Sequence, residues 1–348
     1  MHFAFTTEQM MFRDALQDLL EKGCSPEQLR TAWQSDSGHI PQLWAHLAEM
    51  GILGMNTPAE KGGLEMDPVD WILLFEELGK FAVPDPVLES GLVATSLIHQ
   101  LASTDDQANW LPSIIEGKLK VAVSLENPHL ILGAEDADIL LLRSGDGLHN
   151  LHPGDLKLEK QKSVDRCRQI YKIDWAPSQE NLICRGPTCI SAMEKSANLG
   201  ALAASAQLIG LGQKLLDETV EYTKIRHQFG RPVGSFQAIQ HQLADVLIQL
   251  EFARPLVHQA AWTLSGNRPH GSIQVSMAKV LANDAAHAAS RAALQCHGAI
   301  GYSLEHDLHM WMKRVWALIR TWGDSHHHRE RVATEILDNP DAEEVLYA

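Results

Sequence analysis

Hydrophobic spacing divides the chain into three zones. Over residues 1–117 apolar positions recur at helical intervals. Thr6 or Thr7 is placed to cap a first helix in which Phe12, Leu16, Leu19 and Leu20 form one stripe. A second helix reads from Ile40 and stops at Gly51 and Gly54. A loop dense in Pro and Gly follows, from Thr57 to Pro68, and helices return over 69–82 and 90–102. Over 118–185 the pattern changes to short β-prone runs (120–126, 137–144, 147–152 and 169–175) separated by Gly, Asp and Pro, a small domain of about five strands. Over 186–348 long helical patterns resume, at 197–230, 236–266, 277–298 and 306–323, with Ala and Gly on faces that let helices pack closely. The expected fold is α+β and multi-domain: an N-terminal all-α domain, a small middle β domain and a C-terminal four-helix bundle.

Composition narrows the partners. The chain has 348 residues, 45% of them hydrophobic, enough for a large core in two or three domains. A formal net charge of −15 argues against nucleic acid as a partner, because replacing phosphate counterions requires a basic face. The N-terminal stretch carries acids and a helical period, unlike a secretory signal, and no uninterrupted apolar run approaches the ~20 residues of a membrane span. Cys24, Cys167, Cys184, Cys189 and Cys296 form no CxxC and read as free thiols in a reducing compartment. A cytoplasmic location is expected, with neither membrane nor nucleic acid as partner.

Four short segments then stand out. Arg226, Phe229 and Gly230, followed by Phe236, Gln237 and Gln240, form R-x-x-F-G…F-Q-x-x-Q. Gln295, Gly298, Gly301 and Tyr302 form Q-x-x-G-A-x-G-Y. Upstream lie Pro58-Ala59-Glu60-Lys61-Gly62-Gly63 and the opening Phe5-Thr6-Thr7-Glu8-Gln9. In this order and within this helix pattern they resemble the acyl-CoA dehydrogenase family, with Ala299 where that family usually has Gly. The resemblance implies FAD, removal of an α-proton and a β-hydride from an acyl thioester, and a trans arrangement in which one subunit contacts its neighbour's cofactor. Carried over by motif, Arg226 clamps the pyrophosphate, since guanidinium supplies positive charge and planar donors together. Phe229 packs on the cofactor, Gln237 and Gln240 offer amides to its adenosine end, and Gln295, Gly298 and Gly301 complete the contact. Taken singly, Arg226 reads equally as a surface arginine, Phe229 as core, the two glutamines as polar helix face, and the glycines as the end of one helix and start of another.

Three departures from the family pattern concern chemistry. One family position for the base glutamate, counted without gaps from Gln295, holds Trp322. The other, counted back from Arg226, holds Gly200. Neither side chain accepts a proton, and abstraction needs a positioned base. The strand at 121–126 runs into Asn127-Pro128-His129 without the Gly-Ser loop the family wraps around its flavin. Asn198 and Ala201 stand where the family often has an acyl-CoA-facing acid and arginine. No residue is therefore assigned as catalytic. Asp324 and Glu305 are the alternative carboxylates, each read more simply as a turn or helix-start acid. The run His326-His327-His328 reads as an exposed helix end, because consecutive residues do not share a helix face, and no metal is assigned.

The residues a subunit lends to a neighbour are retained, and those it uses for its own cofactor and substrate are degraded. The resemblance thus points to the base-lacking subunit of a heterotetrameric, steroid side-chain type acyl-CoA dehydrogenase. The expected partners are a second family subunit carrying the glutamate, an acyl-CoA substrate and an electron-transfer acceptor. A complete flavoenzyme with monooxygenase-type chemistry and a non-catalytic relative are the alternatives.

Overall fold

A computed structural model of the chain describes residues 4–266 and 268–338. The helix–strand–helix order of the sequence is present: helices to residue 115, short strands from 121 to 185, and long helices from 187. Two compact units assemble from segments distant in sequence. One combines the N-terminus to Pro26, Pro68–Val83 and the chain from Ala201 onward; the other combines Glu27–Asp67 with Pro84–Gly200.

In the first unit, α1 (Thr7–Gly23) begins in a capping box. The Thr6 hydroxyl accepts the Gln9 amide N–H at 3.2 Å, and the Gln9 side chain accepts the Thr6 N–H at 2.8 Å. Leu16 and Leu20 are its buried positions, while Phe12 and Leu19 are half-buried.

In the second unit, α2 (Pro26–Gln34) and α3 (Pro41–Glu49) lead to a 3₁₀ turn at Ile52–Gly54. Back in the first unit, α4 (Pro68–Lys80) carries a nearly all-apolar buried face. A π-helical segment, Val87–Ala94, then runs straight into α5 (Thr95–Leu101) within the second unit. All eight π-helical residues are buried, so the segment offers no amphipathic period to read. A Ser103 cap starts α6 (Thr104–Ile115).

The β region holds seven strands where about five were expected: β1 (Val121–Ser124), β2 (Leu130–Leu132), β3 (Ile139–Ser144), β4 (Gly147–Leu151), β5 (Leu158–Gln161), β6 (Ile170–Ile173) and β7 (Leu182–Arg185). They form two sheets, ordered β1-β3-β4-β7 and β2-β6-β5, with β1 parallel to β3 and the other pairs antiparallel. Ala122, Leu140 and Leu142 of one sheet and Ile131, Tyr171 and Ile173 of the other share a core. The additional strands β2, β5 and β7 are three or four residues long and largely half-exposed, too short for alternation to register.

One sequence expectation is overturned here. Cys184 and Cys189 are disulfide-bonded, not free. The chain turns from β7 into the first turn of α7 (Pro187–Ile225) through Gly186, whose φ of +94° only glycine adopts readily, and this brings the two Cα atoms to 5.8 Å, within bridging distance. Cys24, Cys167 and Cys296 form no disulfide among the described residues.

The long helices α7, α8 (Gln237–Ser265), α9 (Gly271–His297) and α10 (Leu308–Leu318) are followed by α11 (Ser325–Asp338). Helix α7 is long and apolar enough to cross a membrane, but 78% of its most apolar stretch is buried inside the protein, as a core helix requires. Paired glycines let α4 and α7 approach closely. A Cβ on Gly79 would stand 2.1 Å from the Gln207 carbonyl oxygen, and one on Gly210 would stand 1.9 Å from that of Glu76. Arg254 of α8 reinforces this contact, donating to Glu76 and to Gln213 at 3.0 Å each. The Trp311 indole donates to the Lys80 carbonyl at 2.9 Å, and Arg314 donates to that of Val83 at 2.6 Å.

Candidate functional site

At the end of α7 the chain passes into a two-stranded hairpin, β8 (His227–Gln228) and β9 (Arg231–Pro232). Its tip is Phe229-Gly230, with φ of +53° and +80°. Two successive positive φ values are what a two-residue I′ hairpin turn demands. Glycine meets that demand freely; phenylalanine does so under strain. Phe229 is nevertheless 91% exposed, its one ring neighbour being Phe236, edge-on at 6.1 Å. Strain and exposure together mean that this ring contributes little to its own core. Arg226 sits at the hairpin's base, its backbone fixed by Tyr222 O at 2.9 Å and Val233 N at 2.8 Å. Its guanidinium is exposed and meets no acceptor among the described residues.

Gln237 opens α8 with an exposed side chain. The cap position before it is Phe236, whose carbonyl accepts the Ile239 and Gln240 N–H groups at 3.0 and 3.1 Å but whose side chain caps nothing, so the N–H groups of Gln237 and Ala238 stay available. Gln240 differs: its amide donates to the Gly234 carbonyl at 3.0 Å, bracing the turn beneath the hairpin.

The second motif closes α9. Gln295 is exposed on the last turn, and Gly298 ends the helix at φ +64°, ψ −141°, a conformation reserved for glycine, with open space where a side chain would stand. Gly301 is buried, and a Cβ there would press on Leu294, His297 and Leu308 at 3.1–3.3 Å; its local role is close packing. The two motif segments are tied by rings. Tyr222 stacks on His297 with centroids 4.1 Å apart, and His306 meets His297 edge-on at 5.0 Å. Burial lowers the His297 pKa, keeping the ring neutral, and Nδ1–H donates to Ala293 O at 2.8 Å. Sequence reading missed these three rings, although an aromatic one turn before Arg226 and a histidine inside the Q-x-x-G motif were visible.

Trp322 lies in the turn between α10 and α11. Its φ is +57°, followed by +88° at Gly323, and its side chain is 7% exposed. A polar stripe on α9 and one histidine of α11 hold this turn. His328 Nε2 meets the Trp322 carbonyl at 2.8 Å, and its Nδ1 lies 3.1 Å from the Ser276 hydroxyl. Lys279 donates to Asn283 at 2.8 Å and to the Leu318 carbonyl at 3.3 Å, and Asn283 donates to Ser325 at 3.1 Å. The histidine run is therefore not a uniformly exposed helix end. Its third member is buried, and desolvation, opposed by the bond to Trp322 O, drives its pKa down to about 4, so the ring is neutral. Polar residues at positions 276, 279 and 283 of an alanine-rich helix were the available signal.

Gly200 is a buried position inside α7. Asp324 accepts the His327 amide at 2.9 Å as an N-terminal acid of α11, which holds its carboxyl below the usual range, and Glu305 is exposed in the segment before α10. After β1, the Ser124 hydroxyl donates to Asn127 O at 2.6 Å and Leu130 O at 3.1 Å, so the short connection to β2 consumes its own hydroxyl.

Comparison with known proteins gives the family. The profile of the acyl-CoA dehydrogenase N-terminal domain matches residues 6–118, and that of the acyl-CoA dehydrogenase C-terminal domain matches residues 190–337. Acyl-CoA dehydrogenase IpdE2 of Mycolicibacterium smegmatis is 30% identical over 331 residues, covering 95% of this chain and 99% of that protein. The chain belongs to the acyl-CoA dehydrogenase family. Among solved structures, the Tcur3481–Tcur3483 steroid ACAD G363A variant superposes with a TM-score of 0.86 at 22% identity, covering 96% of this chain and 99% of that one. The ChsE4–ChsE5 complex from Mycobacterium tuberculosis gives 0.85 at 21% identity, covering 98% and 100%. These two likenesses establish the fold. As an acyl-CoA dehydrogenase the chain is an oxidoreductase.

Proposed function

We propose that this acyl-CoA dehydrogenase chain is the base-lacking subunit of a heteromeric, FAD-dependent enzyme that desaturates an acyl-CoA thioester, with a steroid side-chain thioester as the substrate class. The observation that carries this reading is an asymmetry. The donors suited to a neighbour's cofactor are exposed and unspent, while the turn that should bear the base ends in a buried indole.

The residues present fit FAD. Arg226 offers an unpaired planar cation for a pyrophosphate, Gln237 and Gln295 offer exposed amides, Phe229 offers a ring, and the space beside Gly298 admits close approach of backbone to ligand. Gln240 and Gly301 act from behind, one bracing the hairpin turn and the other packing the end of α9. When bound, FAD supplies the hydride acceptor. The α-proton must go to a carboxylate, which a second family subunit provides, and an electron-transfer acceptor completes the set of partners. Exposed Ile225, Phe252, Tyr302 and Leu304 supply apolar area for association. We place the complex in the cytoplasm, where the Cys184–Cys189 bond would meet reductants.

Co-expression tests the reading. The chain purified alone should be colourless and inactive, and the chain co-purified with its partner should be yellow and oxidise acyl-CoA. Arg226→Ala should cost roughly 1.5–3 kcal/mol of FAD affinity, the worth of a hydrogen bond to a charged group, without lowering Tm, because Arg226 makes no contact that folding needs. Full FAD occupancy and acyl-CoA oxidation by the lone chain would refute it, and oxygen-dependent turnover by the lone chain would favour monooxygenase-type chemistry.

A further inference from the structure

The Cys184–Cys189 bond joins two unlike sulfurs. Cys184 is half-buried on β7, the edge strand of its sheet, and none of the four residues of that strand is fully buried. Cys189 is buried in the first turn of α7. An attacking thiolate therefore reaches the Cys184 sulfur and not its partner. The displaced Cys189 sulfur departs as an anion at the N-terminus of a 39-residue helix, where backbone N–H groups and the helix dipole stabilise negative charge. Access at one sulfur and a stabilised leaving group at the other are what thiol–disulfide exchange requires.

The fold does not depend on the bond. The two cysteines are five residues apart, and closing so short a loop restrains the unfolded chain little. Other contacts hold the same segment. The Asn150 amide donates to Asn181 O at 2.7 Å, that of Gly186 to Asp146 O at 3.2 Å, and that of Ile190 to Gly186 O at 3.0 Å. The β4–β7 ladder pairs Leu148 with Cys184 and Gly147 with Arg185. The remaining thiols are poorly placed for redox chemistry. Cys24 and Cys167 are buried, and burial pushes the Cys296 thiol up, away from its reactive anion.

We propose that Cys184–Cys189 is a reversible redox site that a dithiol opens within the folded chain. One thiolate of the dithiol attacks Cys184 Sγ. A mixed disulfide forms, the Sγ–Sγ bond breaks, and Cys189 leaves with the electron pair. The second thiolate of the dithiol then attacks its own first sulfur and expels Cys184. Two electrons and two protons have passed to the cysteines, and the dithiol has become a disulfide. A low-molecular-weight disulfide such as glutathione disulfide reverses the step and leaves as two thiols. Opening releases β7 from α7 and leaves it on a ladder whose register shifts between Leu148 and His149.

Thiol counting on the full chain tests this. Native protein purified in air is alkylated before and after dithiothreitol treatment, and the modified positions are read by mass spectrometry. Cys184 and Cys189 should become alkylatable together without denaturant, and glutathione disulfide should protect them again. Reduction should lower Tm by only roughly 2–5 °C and speed hydrogen exchange along β7. With glutathione disulfide, a Cys189→Ser chain should carry one glutathione on Cys184, and a Cys184→Ser chain should carry none on Cys189. A pair that never closes in air or in glutathione disulfide would overturn the proposal, as would a bond that yields to dithiothreitol only in denaturant. Unchanged exchange along β7 after full reduction would overturn the release of the strand. The site shares no residue with the cofactor motifs, so each of these failures leaves the proposed function standing.

Discussion

Phe229→Gly separates a residue that supports this chain from one that serves a neighbour. Three local terms decide its effect on stability. Releasing an L-residue from the left-handed region returns about 1–2 kcal/mol. Glycine's extra backbone entropy costs about 0.5–1 kcal/mol. Losing the edge-on pair with Phe236, centroids 6.1 Å apart, costs at most another ~0.5–1.5 kcal/mol. At 91% exposure there is almost no burial to lose, so the terms cancel to within ~1 kcal/mol and Tm should move by no more than about 4 °C. If Phe229 is an anchor for the cofactor or for the subunit holding it, the same substitution removes a buried aromatic contact from that interface, worth about 2 kcal/mol or more, a loss of roughly thirtyfold in affinity. The assay is a pair of measurements: thermal unfolding of the lone chain, and FAD retention on dilution of the co-purified complex. Unchanged retention refutes the trans contact. A Tm drop well beyond 4 °C refutes the premise that the ring is idle in its own fold.

Further outcomes follow from packing and ionisation. Gly210→Ala would put a Cβ 1.9 Å from the Glu76 carbonyl oxygen and 2.8 Å from the Lys80 amide, backbone atoms that cannot swing aside, so denaturant unfolding should show a loss of about 3 kcal/mol. His39 lies 3.0 Å from Asp136 and 3.3 Å from Asp85; burial opposes its charge, but these carboxylates prevail and raise its pKa to about 9. The folded state thus holds this proton more tightly, and a contribution of about 3 kcal/mol, complete below pH 6.5, should vanish as pH rises through 9 and be absent in His39→Gln. His328 has the opposite sign. With a folded pKa of about 4, the unfolded chain takes up its proton first, so about 3 kcal/mol of stability should be lost as pH falls from 6.5 to 4, and a His328→Asn chain should lack that slope in urea titrations.

Much of this was legible in order and little of it in geometry. The helix–strand–helix plan followed from periodicity, and the family from four short motifs in order within that pattern. Helices α2 and α6 were subsumed in a zone read only as helical, one being nine residues long and the other carrying Pro112. The π-helical run could not be read because uniform burial erases the period. The Cys184–Cys189 bridge depends on the φ of one intervening glycine, which spacing does not encode. His328 shows the same limit: its neighbours His326 and His327 are exposed while it is buried, because only one of three consecutive side chains on α11 can face Ser276.

The Trp322 turn bears most directly on what was lost and what was kept. Left-handed backbone at Trp322, a neutral buried histidine and a fully buried lysine meet in this turn, and each destabilises the fold unless another group compensates for it. At Asp324 and Glu305, the two alternative carboxylates, nothing comparable is built: one caps α11 and the other faces solvent. Under the proposed function, the exposed hairpin serves a neighbouring subunit and proton removal falls to a carboxylate of that neighbour, which the co-expression experiment tests.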